Sequence, residues 1–392
     1  MKPLANMLKP RESVFADTAQ EDVLNLTDFA EGKVDPEGFF KENYVTQGMS
    51  MLLEIVFSRF AGKSDTGLVK LTQAMGGGKT HCMIATGLLA QHPELRQSML
   101  KREYVDLGEI KVVTISGREN YEYGIWGSIS EQLGQWDLFK EYNTQLKAPG
   151  EKAWVNLLKG QKVLILLDEL PPYLNYARAE KVGNADLAVV TTRALSNLFS
   201  ALGKEELANV GVVISDLNAA YEEGSKMVQQ AFSQLDDLSC EVNRQARDVQ
   251  PVKHNTDEVY DILRVRLFEN EPVSDNYAQD KNNIAIAYKE AVAKARKLGI
   301  TNYSDSSVYQ GINDSYPFHP GLKELYARFK ENDSVRQTRD LIKLMRQIVR
   351  QFYESGMAEK KSLIHVYDID LNTIMHVSVH MKSAVNGSLF AY

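Results

Sequence analysis

The sequence has few cysteines, no long apolar run and no excess of basic residues. Its 392 residues include only Cys82 and Cys240, which show no metal-ligand spacing and suggest no disulfide framework. No apolar run approaches the ~20 residues that a membrane helix needs, and the N-terminal stretch MKPLANMLKPRESVF lacks the apolar core of a signal peptide. With a net charge of −7, the chain has no overall excess of positive charge for binding nucleic acid, so any DNA contact would be local. We therefore expect a cytoplasmic protein without a membrane partner.

What the sequence does contain is a glycine-rich turn between a predicted strand and a predicted helix. Leu68 to Leu71 indicates a short buried strand, and Met83 to Ala90 indicates a helix. Glycines in the intervening turn let backbone N–H groups approach phosphate oxygens, and the helix start adds its positive dipole end. Lys79 would reach the β- and γ-phosphates of a nucleotide, and the Thr80 hydroxyl would ligate magnesium. We therefore predict a P-loop that binds ATP or ADP.

The spacing of this stretch, GLVKLTQAMGGGKTH at 67–81, matches the pattern GxxxxGK[ST] except at its first position. Gln73 stands there in place of glycine, which removes one permissive turn residue from the entry of the loop. A glycine-rich turn without a ligand is the alternative, and the flanking strand and helix favour the nucleotide. The candidate binding residues are Gln73, Gly76, Gly77, Gly78, Lys79, Thr80 and His81.

A second motif, KVLILLDEL, places two carboxylates directly after an apolar strand. Lys162 to Leu167 is mostly apolar, which is typical of a buried parallel strand, and Asp168 and Glu169 follow it. One carboxylate at such a strand end can hold magnesium, and the next can polarise the water that attacks the γ-phosphate. Combined with the glycine-rich turn, this motif predicts Asp168 as the magnesium carboxylate and Glu169 as the catalytic base.

Two further predicted strands also end in polar residues. Glu109 to Ser116 alternates and is β-branched, and Arg118 follows it at the edge where open α/β sheets bind ligands. A solvated loop charge is the alternative interpretation of Arg118. In ATPases with a strand inserted between the strands of the two motifs, a polar residue after the inserted strand senses the γ-phosphate. Asn209 to Ser215 predicts such a strand, and the unranked sensor candidates are Ser215, Asp216 and Asn218.

Near its C-terminal end, the sequence predicts a helix with a basic stripe from Val335 to Tyr353. Its cations recur three and four residues apart, so they share one face of the helix. That face is either a solvated surface or a contact for a polyanion, namely the bound nucleotide or DNA. The stripe consists of Arg336, Arg339, Lys343, Arg346 and Arg350, and the apolar residues Leu341, Leu344, Met345, Ile348 and Phe352 lie largely on another face.

Together these motifs resemble a bacterial ATPase family, the domain-of-unknown-function family numbered 499. Its AAA-like members are found in anti-phage defence islands beside DNA methyltransferases and helicases. Members are usually much longer, so the resemblance implies that this chain is an N-terminal fragment or a short variant. The resemblance rests on PRESVF at 10–15, FFKENYVTQGM at 39–49, TQAMGGGKTH at 72–81, VLILLDEL at 163–170, PVKHNTDEVYDILRVRLFE at 251–269, YPFHP at 316–320 and RQTRDLIKLM at 336–345.

The stretch Pro251 to Arg266 is also similar to the end of the ATPase core in the origin-recognition branch of AAA+ proteins. This similarity implies an arginine finger near the end of a helix predicted from Met227 to Arg247, before a short strand from Asp248 to Val252. A finger acts on the nucleotide of a neighbouring subunit, so it also implies a homo-oligomer. The candidates are Arg244 and Arg247 for the finger, and Arg336 and Arg339 for the sensor-2 arginine of the lid.

We therefore expect an α/β P-loop NTPase core of the ASCE, AAA-like type with a parallel sheet, followed by a mostly helical lid. The expected domains are an N-terminal extension at 1–48, the ATPase core at 49–255, and the lid with the C-terminal region at 256–392. The expected function is magnesium-dependent ATP hydrolysis that drives a switch or motor in a DNA-directed anti-phage complex. The alternative is a nucleotide-gated scaffold that hydrolyses little ATP and recruits a methyltransferase or nuclease.

Overall fold

The fold was obtained as a computed structural model, which describes residues 1–16, 24–72, 77–215, 238–252, 258–322 and 338–368. The chain divides into two compact units. The sheet unit comprises residues 24–39 and 45–253, and the helical unit comprises residues 1–23, 40–44 and 254–392. The domain boundaries expected from the sequence stay a prediction.

The sheet unit is built around a five-stranded sheet in which every neighbouring pair of strands is parallel. Its strand order is β2-β3-β6-β1-β7, and β4 and β5 form a separate antiparallel pair. The central strands are buried on both faces, as their runs of Val, Ile and Leu predict. The strands are β1 (Leu68–Leu71), β2 (Lys111–Ser116), β3 (Val163–Asp168), β4 (Lys181–Val182), β5 (Ala185–Asp186), β6 (Val210–Ser215) and β7 (Arg247–Val249).

Helices cover this sheet, as the long connections between parallel strands require. Their apolar faces form a core with the sheet in which Trp126, Trp154, Phe139 and Phe199 are fully buried. The helices from the start of the chain to β6 are α1 (Leu26–Ala30), α2 (Pro36–Glu42), α3 (Gln47–Phe60), α4 (Lys79–Gln91), α5 (Pro93–Met99), α6 (Gly124–Gln132), α7 (Trp136–Thr144), α8 (Glu151–Leu158), α9 (Leu170–Ala177) and α10 (Leu187–Ala201).

The expected α/β class is confirmed at the level of a parallel five-stranded sheet with helices. One element differs from its prediction. The helix expected to end at Arg247 is helical over 238–245 among the described residues, and Arg247 instead begins β7. The physical reason is backbone pairing, because Arg247 lies opposite Val69 of β1 in the parallel ladder.

The helical unit has its own core of buried apolar side chains. Part of this core comes from the first residues of the chain, because Leu4, Met7 and Leu8 are buried in it. The backbone of this segment is bonded as well, since the Leu4 N–H donates to the Lys361 carbonyl oxygen at 2.8 Å. The helices of this unit after residue 254 are α11 (Glu258–Leu267), α12 (Tyr277–Lys297), α13 (Asp305–Ser315) and α14 (Thr338–Glu354).

Across the described ranges, every helix is too short or too polar to cross a membrane.

A buried arginine on α3 fastens this helix to the sheet. Arg59 is only 4% exposed, and its guanidinium donates to backbone carbonyl oxygens rather than to a carboxylate. The planar fork of the guanidinium suits these separate acceptors, which a lysine could not reach together. The acceptors are the carbonyl oxygens of Asp65 at 2.8 Å, Leu202 at 2.8 Å, Leu207 at 2.9 Å and Val210 at 3.3 Å.

We expect Arg59→Lys to lower the free energy of unfolding of the sheet unit by about 2–4 kcal/mol, because buried carbonyls lose their donors and the ammonium stays desolvated. Urea denaturation measures this change. Arg193→Lys, at an exposed position on α10, is the matched control and should alter stability by less than about 0.5 kcal/mol. Equal stability of the two variants would contradict the fastening role of Arg59.

Candidate functional site

The glycine-rich turn leads directly into the N-terminus of α4. Gly78 is the N-cap residue of this helix and has a φ of 86°, a left-handed conformation that glycine adopts without steric cost. Lys79 and Thr80 are the first two residues of α4, so they lie at the positive end of the helix dipole. Gly77 is described and buried, whereas Gln73 and Gly76 lie outside the described residues.

The two sequence motifs meet at the carboxyl edge of the sheet. The Thr80 hydroxyl donates a hydrogen bond to Oδ2 of Asp168 at 2.6 Å, across 88 positions of sequence. Asp168 is the last residue of β3 and is only 5% exposed. The structure therefore brings together the two residues that were predicted as magnesium ligands.

Burial raises the pKa of the Asp168 carboxyl, because a charge in this position loses its hydration. Hydrogen bonds from the hydroxyls of Thr80 and Ser215 offset part of this effect, since they favour the ionised form. Ser215 is itself 2% exposed and ends β6, the strand that lies between β1 and β3. Of the unranked sensor candidates, Ser215 is thus placed beside Asp168, and Asp216 and Asn218 lie outside the described residues.

Glu169 lies next to Asp168 but in a different environment. Its carboxylate forms a two-pronged ion pair with Arg118, in which Nη2 donates to Oε1 at 3.0 Å and Nε donates to Oε2. The side chain is 38% exposed, in contrast to the buried Asp168. Its backbone N–H donates to Oγ of Ser215 at 3.0 Å. Glu169 is therefore held by Arg118, which follows β2, and by Ser215, which ends β6. These two strands lie on either side of β3.

The sequence predicts Arg118 at this edge but does not indicate Glu169 as its partner. The position of Arg118 in the sequence indicates only that it lies near Glu169. Arg118 comes just after β2, and the carboxyl ends of parallel strands lie at one edge of the sheet. The close approach of Gly117 to Glu169 was missed altogether. A Cβ atom at position 117 would lie 1.7 Å from the Glu169 carbonyl oxygen.

The remaining predicted site residues of the sheet unit lie in three places. His81, on the first turn of α4, has its ring centroid 6.2 Å from that of Phe39. Arg244 is largely exposed and is ion-paired with Glu241 at 2.7 Å on the same helical turn. Arg247 is exposed on β7, the edge strand. Their roles stay predictions.

The basic stripe belongs to α14 in the helical unit. The apolar residues predicted for the other face of this helix are all buried in the core of the helical unit, which confirms the prediction of an apolar face. Within the stripe, Lys343 is exposed, and Arg350 donates to Glu354 at 2.9 Å. Arg336 and the side chain of Arg339 lie outside the described residues, so their sensor-2 role stays a prediction.

The oxygen atoms of Thr80 and Asp168 at the carboxyl edge fit the coordination of a magnesium ion that is shared with a phosphate. Magnesium is usually bound through one or two protein groups plus substrate phosphates, rather than in an all-protein cage. The buried carboxylate of Asp168 with the adjacent Thr80 hydroxyl provides such a partial shell. Among the described residues, no group of three or more His, Cys, Asp or Glu side chains could enclose a metal.

We expect Asp168 to make stability depend on pH. Its pKa is raised in the folded state, so its contribution to stability is fully present below about pH 4 and is lost as the pH rises through the raised value. The unfolding temperature of the wild type, measured in chelator, should therefore fall relative to that of Asp168→Asn as the pH increases toward 8. Magnesium should restore part of the loss in the wild type but have no such effect in Asp168→Asn.

The matched control for this measurement is Asp137→Asn, at an exposed position on α7. That variant should follow the wild type at every pH and respond to magnesium as the wild type does. A pH slope that is the same in the wild type and in Asp168→Asn would contradict the assigned environment of Asp168.

Comparison with known families covers nearly the whole chain. Residues 8–253 match the DUF499 N-terminal domain, and residues 254–383 match the DUF499 second domain. The comparison with curated proteins finds no match. The resemblance noted in the sequence motifs is therefore confirmed at the level of the family. The chain belongs to the family of proteins with DUF499 domains.

Proposed function

We propose that the chain binds ATP with magnesium at the carboxyl edge of the sheet and hydrolyses it. The observation that carries this proposal is the 2.6 Å hydrogen bond from Thr80 to Asp168. In P-loop NTPases the hydroxyl of the glycine-rich loop and the carboxylate at the end of a neighbouring strand hold one magnesium ion. The same two residue types converge here from two distant motifs.

The glycine turn and the start of α4 support the phosphate part of the proposal. The left-handed Gly78 turns the chain into the helix, and the backbone N–H groups of that first turn favour an anion. Lys79 is the first residue of the helix and adds a positive charge to this end. A polyphosphate would be bound by these groups together, through contacts that are charge-assisted.

The carboxylates supply the rest of the chemistry. A magnesium ion held by Thr80 and Asp168 would neutralise charge on the β- and γ-phosphates. Glu169, which is partly exposed beside this pair, would accept a proton from the attacking water. Ser215 ends the strand between β1 and β3, as expected for a residue that responds to the γ-phosphate.

The wider role that we propose is a switch or motor in a DNA-directed anti-phage complex. Family membership supports it through the resemblance described above, and the exposed Lys343 of α14 offers a local contact for a polyanion. A homo-oligomer with Arg244 or Arg247 acting on a neighbour's nucleotide belongs to the same proposal. The protein partners would be a methyltransferase or a helicase.

A specific observation favours a second candidate, the nucleotide-gated scaffold with little hydrolysis. The proposed catalytic base is engaged by Arg118 in a two-pronged ion pair. Both oxygens of this carboxylate accept from the guanidinium, so they are less available to accept from an attacking water. In this state the chain would bind nucleotide and turn it over slowly until a partner separates the pair.

The proposal is tested by ATP binding and steady-state turnover of the wild type, Lys79→Ala and Glu169→Gln, with and without duplex DNA. We expect Lys79→Ala to weaken ATP affinity at least about tenfold, because a charge-assisted contact contributes roughly 1.5–3 kcal/mol. Glu169→Gln should bind ATP normally and lose turnover. Lys152→Ala, at an exposed position on α8, is the control. If Lys79→Ala binds ATP as tightly as the wild type does, the assignment of a phosphate site to this turn is wrong.

The two candidate functions are separated by Arg118→Ala. If the ion pair restrains Glu169, its loss should raise basal ATP turnover by up to about fivefold, since exposed pairs contribute at most about 1 kcal/mol. Arg193→Ala should leave the rate unchanged. A lower rate in Arg118→Ala would instead mean that the arginine supports the reaction, which contradicts a restraining role.

A further inference from the structure

Glu169 adopts a backbone conformation that its residue type disfavours. Its φ is 51° and its ψ is 40°, the left-handed region, where a side chain clashes with the backbone. Only one other non-glycine residue of the described chain, Leu146, has a positive φ. Such a conformation persists only where surrounding groups determine it, and it is typical of functional sites. The groups that impose it on Glu169 can be identified.

On the β6 side, a hydroxyl holds the backbone N–H of Glu169. This N–H donates to Oγ of Ser215 at 3.0 Å and to Oδ1 of Asp168 at 3.0 Å. Ser215 is 2% exposed, so water does not compete for the bond.

On the β2 side, a glycine allows the carbonyl of Glu169 to come close. An added Cβ at Gly117 would meet the Glu169 carbonyl oxygen at 1.7 Å, its carbonyl carbon at 2.4 Å and the Leu170 Cα at 2.8 Å. All of these atoms belong to the backbone, so a side chain could not be accommodated by rotation of a rotamer. The Gly117 N–H also donates to the Asp168 carbonyl oxygen at 2.8 Å. Only glycine allows this approach.

We propose that Gly117 and Ser215 are positioning residues that fix the carboxylate of Glu169 for its reaction. One residue follows β2 and the other ends β6, so the end of β3 is held from both neighbouring strands. The proposal rests on the proposed function, in which Glu169 accepts the proton of water. A general base must lie within hydrogen-bond reach of that water, and a misplacement of 1 Å can cost about a hundredfold in rate.

The first test is Gly117→Ala, with Gly211→Ala as the matched control. Gly211 lies in β6 of the same sheet, and a Cβ there would meet its nearest neighbour, a Phe60 ring carbon, at 3.6 Å, an ordinary contact. We expect Gly117→Ala to lower kcat for ATP at least about tenfold while the Kd for ATP stays within about twofold. Gly211→Ala should retain both values.

The second test avoids any added bulk at Gly117 and uses Ser215. Ser215→Ala and Ser215→Cys remove the strong oxygen acceptor, whereas Ser215→Thr keeps a hydroxyl. We expect kcat to fall in the alanine and cysteine variants and to recover in the threonine variant, with bound ATP measured separately at saturating magnesium. A purely structural role of Ser215 would not distinguish cysteine from threonine in this way.

Crystal structures of Gly117→Ala and Ser215→Ala decide the positioning claim without reference to activity. We expect Glu169 to leave the left-handed region and its carboxylate to move from the position that it has in the wild type. If Glu169 keeps its conformation in both variants, or if both variants turn over ATP at the wild-type rate, the inference is overturned. A wild type without turnover contradicts the proposed function, and the crystal structures then still decide whether Gly117 and Ser215 hold Glu169.

Discussion

The buried carboxylate of Asp168 is the constraint on which the carboxyl edge of the sheet depends. It ends a strand that is buried along its whole length, so its charge must be stabilised by neighbouring polar groups. The hydroxyl of Thr80 comes from the start of α4, and the hydroxyl of Ser215 comes from the end of β6. The strands β1, β6 and β3 are parallel neighbours, so their carboxyl ends lie at one edge of the sheet. Thr80, Ser215 and Asp168 therefore lie at that same edge.

Two adjacent carboxylates thus experience opposite environments. Burial raises the pKa of Asp168, whereas Glu169 is partly exposed and paired with Arg118. Neighbouring acids in such different surroundings can divide their tasks, with one serving a cation and the other serving proton transfer. The left-handed backbone of Glu169 ends the strand conformation after Asp168, so the first carboxylate belongs to β3 and the second follows it.

Much of this edge could be predicted from sequence, because it follows from local patterns. Apolar runs located the strands, and the motif spacing anticipated that Thr80 and Asp168 would meet. Features that depend on contacts between distant segments could not be read in that way. The approach of Gly117 to Glu169, the strand conformation of Arg247 and the burial of Leu4 in the helical core all arise from pairing or packing partners far along the chain. The roles of the arginine candidates stay predictions.

In the proposed function, Thr80 and Asp168 hold a magnesium ion that is shared with bound ATP. The most direct measurement is isothermal titration calorimetry of a non-hydrolysable ATP analogue with the wild type, Thr80→Ser and Thr80→Val, in magnesium and in chelator. We expect magnesium to tighten binding in the wild type and in Thr80→Ser, which keeps the hydroxyl, and to have little effect in Thr80→Val. Affinity that is the same with and without magnesium in the wild type, or an absence of binding, would contradict the account.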